Sequence, residues 1–429
     1  MGEEQLRVAL LAYRGNPHCG GQGVYVRHLS RELAALGHHV EVLSGPPYPD
    51  LDPAVRLVEL PSLDFYRADN PLRKTVFLDI RGPVDLLEYL MLCTAAFPEP
   101  LTFSIRAWRH LRGRVQDFDI VHDNQCLAYG LLGIERAGLP VLATLHHPVT
   151  VDRELDLAHA RTLRRKLTLR RWYGFLRMQR KVAPRLRRIV TVSDCSKLDI
   201  EKQMGVPADH MAVVPVGVDH LRFRPLAHVA RVPGRLMTTA SADVPMKGLA
   251  HLLEAVAKLR TERDVELVVI GKPREESGAL RTIDRLGLRD AVRFVNGVDD
   301  QRIVELYAEA EVAVVPSLYE GFSLPAIEAM ACGVPLVATN GGALPEVVGD
   351  HDDTALVVPP ADPGALAVAI GRLLDDERLR ARIGAAGRAR VLDRYTWRAT
   401  AERTAEEYRR VLAATGPVSG PPPRAAPSC

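Results

Sequence analysis

The sequence predicts an α/β protein built of two doubly wound, Rossmann-like domains. Three observations predict it: a strand–loop–helix–strand pattern over residues 6–43, its recurrence over 236–270, and a length of 429 residues, which at about 150 residues per domain accommodates two or three cores. The composition, 47% hydrophobic and 25% charged, is that of soluble globular material, and a net charge of +3 gives no general affinity for nucleic acid. Lysine is scarce, eight among 56 bases, and with abundant Ala, Gly and Pro this resembles the output of a GC-rich bacterial genome. The six cysteines lack CxxC spacing and read as reduced thiols. The acidic start Met1-Gly2-Glu3-Glu4 lacks the basic and apolar regions of a signal peptide, and no uncharged run of about 18 apolar residues follows. A cytoplasmic protein is expected.

Residues 6–13 form an apolar run suited to a buried strand, 14–23 a glycine-rich loop, 24–36 an amphipathic helix stopped at Gly37, and 38–43 a second strand. Further strands are expected at 120–121 and 140–145. Pro215, Gly217 and Pro225 punctuate short apolar pieces, which suits a hinge. Beyond it come a strand at 236–240, a loop at 241–248, a helix at 249–260 and a strand at 265–270. Strands at 293–295, 312–315 and 336–338, each leading into a loop and helix, suit parallel connections. These elements divide the chain into a domain at 1–217, a second at 218–394, a helix at 395–415 that packs back on the first, and a proline-rich, disordered tail at 416–429.

The most informative segment is 316–342, P-S-L-Y-E-G-F-S-L-P-A-I-E-A-M-A-C-G-V-P-L-V-A-T-N-G-G. A strand enters a tight loop, and a helix starts near Pro325 and ends at Gly333. The amides of Phe322, Ser323 and Leu324 then lie at a helix N-terminus, where unpaired donors and partial positive charge suit a diphosphate. Glu320 and Glu328 flank the turn; carboxylates only accept hydrogen bonds, so they suit the hydroxyls of a sugar and a ribose. Lys247, in the loop of the second βαβ unit, is a point charge able to neutralise a departing diphosphate. In the first half, Gly20-Gly21-Gln22-Gly23 opens a helix after a strand, so the backbone at Gly21 and Gly23 can approach a ligand. The register is not G-x-G-x-x-G, and the second strand ends Leu43-Ser44-Gly45 without the acid an NAD ribose requires. A dehydrogenase is disfavoured.

The run Glu320-Gly321-Phe322-Ser323-Leu324-Pro325 with Glu328-Ala329-Met330-Ala331 resembles the E-x7-E segment of the retaining GT-B glycosyltransferases of family 4. The likeness extends over Gly20–Gly23, Leu36-Gly37-His38, Gly217-Val218-Asp219, Lys247-Gly248 and Tyr395-Thr396-Trp397. It implies two Rossmann-like domains facing across a cleft, the first on the acceptor side and the second binding a nucleotide sugar. The activity implied is transfer of a sugar from a nucleotide donor, UDP or GDP, to an acceptor hydroxyl on a lipid-linked molecule or a glycan. By the same resemblance His146, Lys247 and Glu320 are catalytic. Gly21, Gly23, Phe322, Ser323 and Leu324 bind substrate, Glu328 the ribose, and the loop of Asn296 and Val298 the base. No cofactor and no metal are implied, and the triplets Asp50-Leu51-Asp52 and Asp350-His351-Asp352 read as coincidences rather than metal-binding motifs.

Two positions depart from the pattern: Ala242 stands where the family carries an arginine five residues before the lysine, and Val216 where it carries asparagine. The leaving group then either draws its second charge from elsewhere, with Lys272 and Arg274 the candidates, or is stabilised less well. Asp123 and Asn124, at a strand end, either face the acceptor or cap a turn. Residues 161–188 carry twelve bases interleaved with aromatics and read as a long helix, packed on its domain or lying on an anionic membrane, with nucleic-acid binding a disfavoured third reading. The apolar segment 77–103 reads as the wall of an acceptor groove. A sugar-nucleotide epimerase and a non-enzymatic membrane-binding scaffold are the alternatives.

Overall fold

The computed structural model describes residues 4–16, 21–65, 76–160, 162–239, 244–274, 277–349 and 351–415. The chain divides into two units. The first comprises the described parts of Met1–Val192, Lys197–Val214 and Thr400–Cys429; the second comprises Ser193–Ser196 and Pro215–Ala399.

In the first unit the strands are β1 (Arg7–Ala12), β2 (His39–Ser44), β3 (Arg56–Glu59), β4 (Ile120–Asn124), β5 (Val141–Thr144), β6 (Arg188–Thr191) and β7 (Met211–Val213). They form one parallel sheet in the order β3-β2-β1-β4-β5-β6-β7, with Leu10 of β1 level with Val42 on one side and His122 on the other. A parallel sheet is covered on both faces, so its strands are apolar throughout rather than alternating. Accordingly Val8, Ala9, Leu10, Leu11 and Ala12 are all fully buried. The order reverses between β1 and β4, which makes their C-terminal ends the expected ligand position.

The second unit holds β8 (Arg235–Thr239), β9 (Glu266–Ile270), β10 (Val292–Val295), β11 (Val312–Val315), β12 (Leu336–Thr339) and β13 (Leu356–Val358) in the order β10-β9-β8-β11-β12-β13, again parallel. Its switch point lies between β8 and β11. Helix Leu249–Leu259 covers the sheet with Leu252, Leu253 and Val256, all fully buried beside Leu267, Val269 and Val314. Ser193 and Ser196 belong here because their hydroxyls donate to the carbonyl of Gly321 at 2.7 and 3.0 Å.

The last helix, Trp397–Thr415, begins in the second unit and runs in the first from Thr400 onward. There Tyr408, fully buried, has its hydroxyl 2.6 Å from His122 Nδ1, and Glu407 accepts from Arg188 Nε at 2.6 Å.

The basic segment is not one long helix. It forms two short α-helices, Leu163–Trp172 and Leu176–Val182, separated by a single 3-10 turn at Tyr173–Phe175 and followed by another at Ala183–Arg185. Gly174 and Pro184 lie in those turns, and both residue types disfavour a continuous helix. The apolar members Leu169, Leu176, Met178 and Val182 are buried, and Trp172 and Phe175 pack on Phe97 with centroids 5.1 and 5.3 Å apart. Residues 83–111 are likewise a helical pair, Pro83–Cys93 and Glu99–Leu111. Acidic residues that interrupt its apolar pattern are held inside the domain: Asp85 accepts from Arg106 at 2.6 Å, buried Glu88 also pairs with Arg106, and Glu99 pairs with Arg14 at 3.2 Å.

Candidate active site

In the second unit the loops that leave β8 and β11 meet at the switch point. Lys247 lies in the short turn Pro245–Lys247 after β8, and Gly248 follows it at φ 68°. A β-carbon at Gly248 would strike the carbonyl oxygen of Pro316, in the loop after β11, so the close approach of the two loops requires glycine there. The amide of Leu318 donates to the carbonyl of Met246 at 2.7 Å and ties them further. Across this junction Lys247 Nζ donates to both Glu320 oxygens, at 2.8 and 3.1 Å, while Ser317 Oγ donates to Glu320 Oε1 at 2.7 Å. Glu320 is buried, and its backbone is fixed by the amide of Ala343, which donates to its carbonyl at 2.8 Å. The lysine predicted as a diphosphate cation and the glutamate predicted to meet the sugar are therefore one ion pair.

Glu320 leads into helix Leu324–Ala331, which has Pro325 in its first turn and Ser323 as N-cap. Phe322 is buried with its ring edge-on to Tyr395, centroids 5.7 Å apart, which leaves its backbone rather than its side chain for a ligand. Ser323 adopts φ 100° and ψ 85°, a conformation that costs a β-carbon-bearing residue about 1–2 kcal/mol. Its buried hydroxyl neither caps the helix nor finds another partner among the described residues. The first-turn amides are free of intrahelical acceptors, as at any helix start.

Glu328 lies one turn further along the same helix. Tyr307, from helix Asp300–Glu309, donates its hydroxyl to Glu328 Oε2 at 3.4 Å and lies 3.1 Å from Thr239 Oγ1 at the end of β8. Burial pushes the Glu328 carboxyl up to about 7, with the Asp300 charge adding to the rise. Asn296 is exposed and Val298 half-buried in the loop after β10, the outer strand of the sheet. Lys272 and Arg274 are exposed after β9, and Ala242 lies outside the described residues.

The first unit carries a second constellation at its own strand ends. Gly21 takes φ 70° at the start of helix Gln22–Ala35, and a β-carbon at Gly23 would strike the carbonyl of Asn16, so the glycines let the helix start close under the β1 loop. His146, just beyond β5, is half-buried, with its Nε2 2.9 Å from Asn124 Oδ1 and its amide donating to Gln125 Oε1 at 3.0 Å. Burial pushes its imidazole down to about 3, with His147 lowering it further, so the ring is neutral at physiological pH. Asp123, fully buried, accepts from the amide of Leu127 at 2.9 Å and so holds the turn in which Gln125 and Leu127 have φ of 59° and 50°. Of the two residues read together at this strand end, Asp123 serves the turn and Asn124 the histidine.

The Asp-x-Asp triplets have local uses: Asp52 accepts from the amide of Ala54 at 3.0 Å and Asp352 pairs with Arg372 at 2.7 Å, while Asp350 lies outside the described residues. Sequence reasoning missed Tyr307 and Ser317. Tyr307 looks like any core aromatic of an amphipathic helix, whereas Ser317 lies inside the informative segment, three residues before Glu320.

Two parallel Rossmann-like domains, with charged and polar side chains gathered at the carboxyl ends of their strands, make a GT-B fold. The comparisons agree: residues 19–222 match the model of Glycosyltransferase Family 4 and residues 229–390 that of Glycosyl transferases group 1, and the chain belongs to this family. It is 52% identical to the MMP α-(1→4)-mannosyltransferase of Mycolicibacterium hassiacum over 95% of this chain and 99% of that one. To the D-inositol 3-phosphate glycosyltransferase 2 of Catenulispora acidiphila it is 30% identical, over 95% of each. Among solved structures, the sucrose-phosphate synthase of Thermosynechococcus elongatus superposes with a TM-score of 0.71 at 25% identity, over 96% of this chain and 100% of that one.

Proposed function

We propose that this glycosyltransferase moves a mannosyl residue from a nucleoside-diphosphate mannose, UDP- or GDP-linked, to a hydroxyl of a glycan acceptor, with retention at the anomeric carbon. The observation that carries the reading is the Lys247–Glu320 ion pair at the switch point, beside the start of helix Leu324–Ala331. Such a place offers a cation and unpaired amides to a diphosphate and a carboxylate to sugar hydroxyls. Similarity to a mannosyltransferase over nearly the whole chain favours mannose, and the α linkage in that relative's name favours retention from an α-linked donor.

In the reaction the bond from C1 to the diphosphate oxygen breaks, the acceptor oxygen bonds C1 from the same face, and the acceptor proton passes to the departing diphosphate. Lys247 and the helix amides stabilise the charge that develops there. Glu320 holds the sugar, and Glu328 accepts from the ribose. The test is to incubate the protein with each nucleotide mannose and short α-mannoside acceptors, then read the new anomeric signal by NMR. An α product is expected; a β product, or conversion of the donor without acceptor, overturns the reading in favour of inversion or epimerisation.

Because lysine and helix amides are assigned the leaving-group charge, turnover is expected to persist in EDTA. Loss in chelator with recovery on adding Mn²⁺ would contradict that assignment.

We also place an anionic membrane against helix Leu163–Trp172. Leu163 and Leu167 are 72% and 55% exposed beside exposed Arg164, Arg165, Arg170 and Arg171, and exposed Leu86 and Leu90 lie on helix Pro83–Cys93, adjoined through Arg171 Nη2 and Thr94 Oγ1 at 2.8 Å. At about 1 kcal/mol per basic residue near the surface, four contacts give association that weakens as salt shortens the Debye length. Co-sedimentation with phosphatidylglycerol vesicles at low salt and not at high salt is expected; no binding at either refutes it.

A further inference from the structure

His146 is the one candidate catalytic residue in the first unit, and its surroundings decide what its ring offers a ligand. Asn124 stands between it and the start of helix Gln22–Ala35: Asn124 Nδ2 donates to the carbonyl oxygen of Gln22 at 3.4 Å, and Asn124 Oδ1 lies 2.9 Å from His146 Nε2. The reverse orientation of this amide would set its oxygen against the Gln22 carbonyl, two acceptors face to face. The oxygen therefore faces the imidazole, and an oxygen without a proton can only accept. The proton of the neutral ring then resides on Nε2, and Nδ1 carries a lone pair.

The remaining contacts leave that lone pair uncommitted. The ring of Tyr25 meets the imidazole edge-on, centroids 4.7 Å apart at 83°, and the amide of His146 is held by Gln125. Tyr25 is itself fixed, its hydroxyl 3.1 Å from Thr144 Oγ1, which in turn lies 2.7 Å from His122 Nε2. Nδ1 of His146 has no hydrogen-bond partner among the described residues.

We propose that Asn124 is a positioning residue that locks His146 in the Nε2–H tautomer, so that Nδ1 accepts a hydrogen bond from a hydroxyl of a sugar substrate. The inference rests on the sugar-transfer reading and sharpens it. A neutral ring with only a lone pair toward the ligand welcomes a hydroxyl and repels a carboxylate or phosphate oxygen, so a sugar is selected over its uronic acid at this position. Gly21-Gln22-Gly23 gains a role in this arrangement, since its backbone brings the Gln22 carbonyl to Asn124.

The test uses ¹⁵N-histidine-labelled protein. Two-dimensional NMR of wild type, with His146 assigned by comparison with His146→Gln, is expected to show a protonated Nε2 and an unprotonated Nδ1. Asn124→Leu is expected to give a mixed tautomer and a three- to tenfold fall in kcat/KM, the range one neutral hydrogen bond supports. Asn124→Asp keeps an oxygen acceptor at the same place; it is expected to restore the Nε2–H signature and guards against misfolding of the leucine variant. Which of the donor and acceptor KM values changes in Asn124→Leu identifies the sugar that supplies the hydroxyl. A protonated Nδ1 in wild type overturns the inference, as does Asn124→Leu turning over like wild type. If wild type neither binds UDP or GDP nor transfers mannose, the sugar-transfer reading fails and takes the substrate half of the inference with it, while the NMR result still decides the tautomer.

Discussion

Lys247→Ala is expected to lower kcat by at least ~10²-fold, a loss of about 3 kcal/mol of transition-state stabilisation, with a smaller change in donor KM. The expectation follows from position: Lys247 is a cation at the β8–β11 switch point, within 3.1 Å of both oxygens of a buried carboxylate. Charge that appears only as the glycosidic bond breaks is met by a cation already in place, so the rate responds more than the binding. Ala242 sharpens the effect, because the resemblance places an arginine there and one cation fewer leaves more to Lys247. If Lys272 or Arg274 takes that arginine's part, Lys247→Ala is mild and the double variant with Lys272→Ala severe. A kinetic double-mutant cycle separates the cases, since two groups acting on one diphosphate are non-additive. A fully active Lys247→Ala with an additive cycle contradicts the placement of the diphosphate in this loop.

Glu328→Gln is expected to lower donor kcat/KM roughly 10- to 150-fold, the cost of losing a charged acceptor to a hydroxyl. The same substitution separates activity from stability through pH. Burial raises the native carboxyl to about 7, above the ordinary value of 4.5 that it keeps in the unfolded chain, so between those values the native state holds a proton that the unfolded state has released. Stability from this group is present below the unfolded value and lost as pH rises through about 7, a loss on the order of 3 kcal/mol. A neutral glutamine escapes the penalty, so Glu328→Gln is expected to melt above wild type at pH 8, with a smaller difference at pH 5. Wild-type donor kcat/KM is expected to rise with pH through about 7 as the carboxyl ionises, and the variant is expected to lack that limb. Pairing melting curves with pH–rate profiles checks both signs.

How much of this was legible in the sequence varies with the range of the interaction. Strands β1, β11 and β12 are buried on both faces and read as near-continuous apolar runs. Strands β7 and β13, of three residues each, are too short for a pattern to separate them from loop, and β3 offers only Leu57 and Val58 between the charged Arg56 and Glu59. In the basic segment the charges dominate the composition, while the signals for the turns that break it, Gly174 and Pro184, are one residue each. In the site, Glu320, Glu328 and Lys247 were visible as residues of the right type beside expected strand ends. Their partnership was not, since the contact of Lys247 with Glu320 spans 73 positions and depends on the crossover that sets β8 beside β11. Tyr408 and His122, 286 positions apart, are further from any local signal still.

The proposed site in the second unit binds a nucleoside diphosphate through Lys247, Glu328 and the start of helix Leu324–Ala331. Thermal denaturation with UDP, GDP, ADP and dTDP, each in EDTA, tests it most directly. UDP or GDP is predicted to raise the melting temperature of wild type, and the shift is predicted to shrink in Glu328→Ala and in Lys247→Ala. No shift with any of the four, or a shift that appears only when Mn²⁺ or Mg²⁺ replaces the chelator, would contradict it.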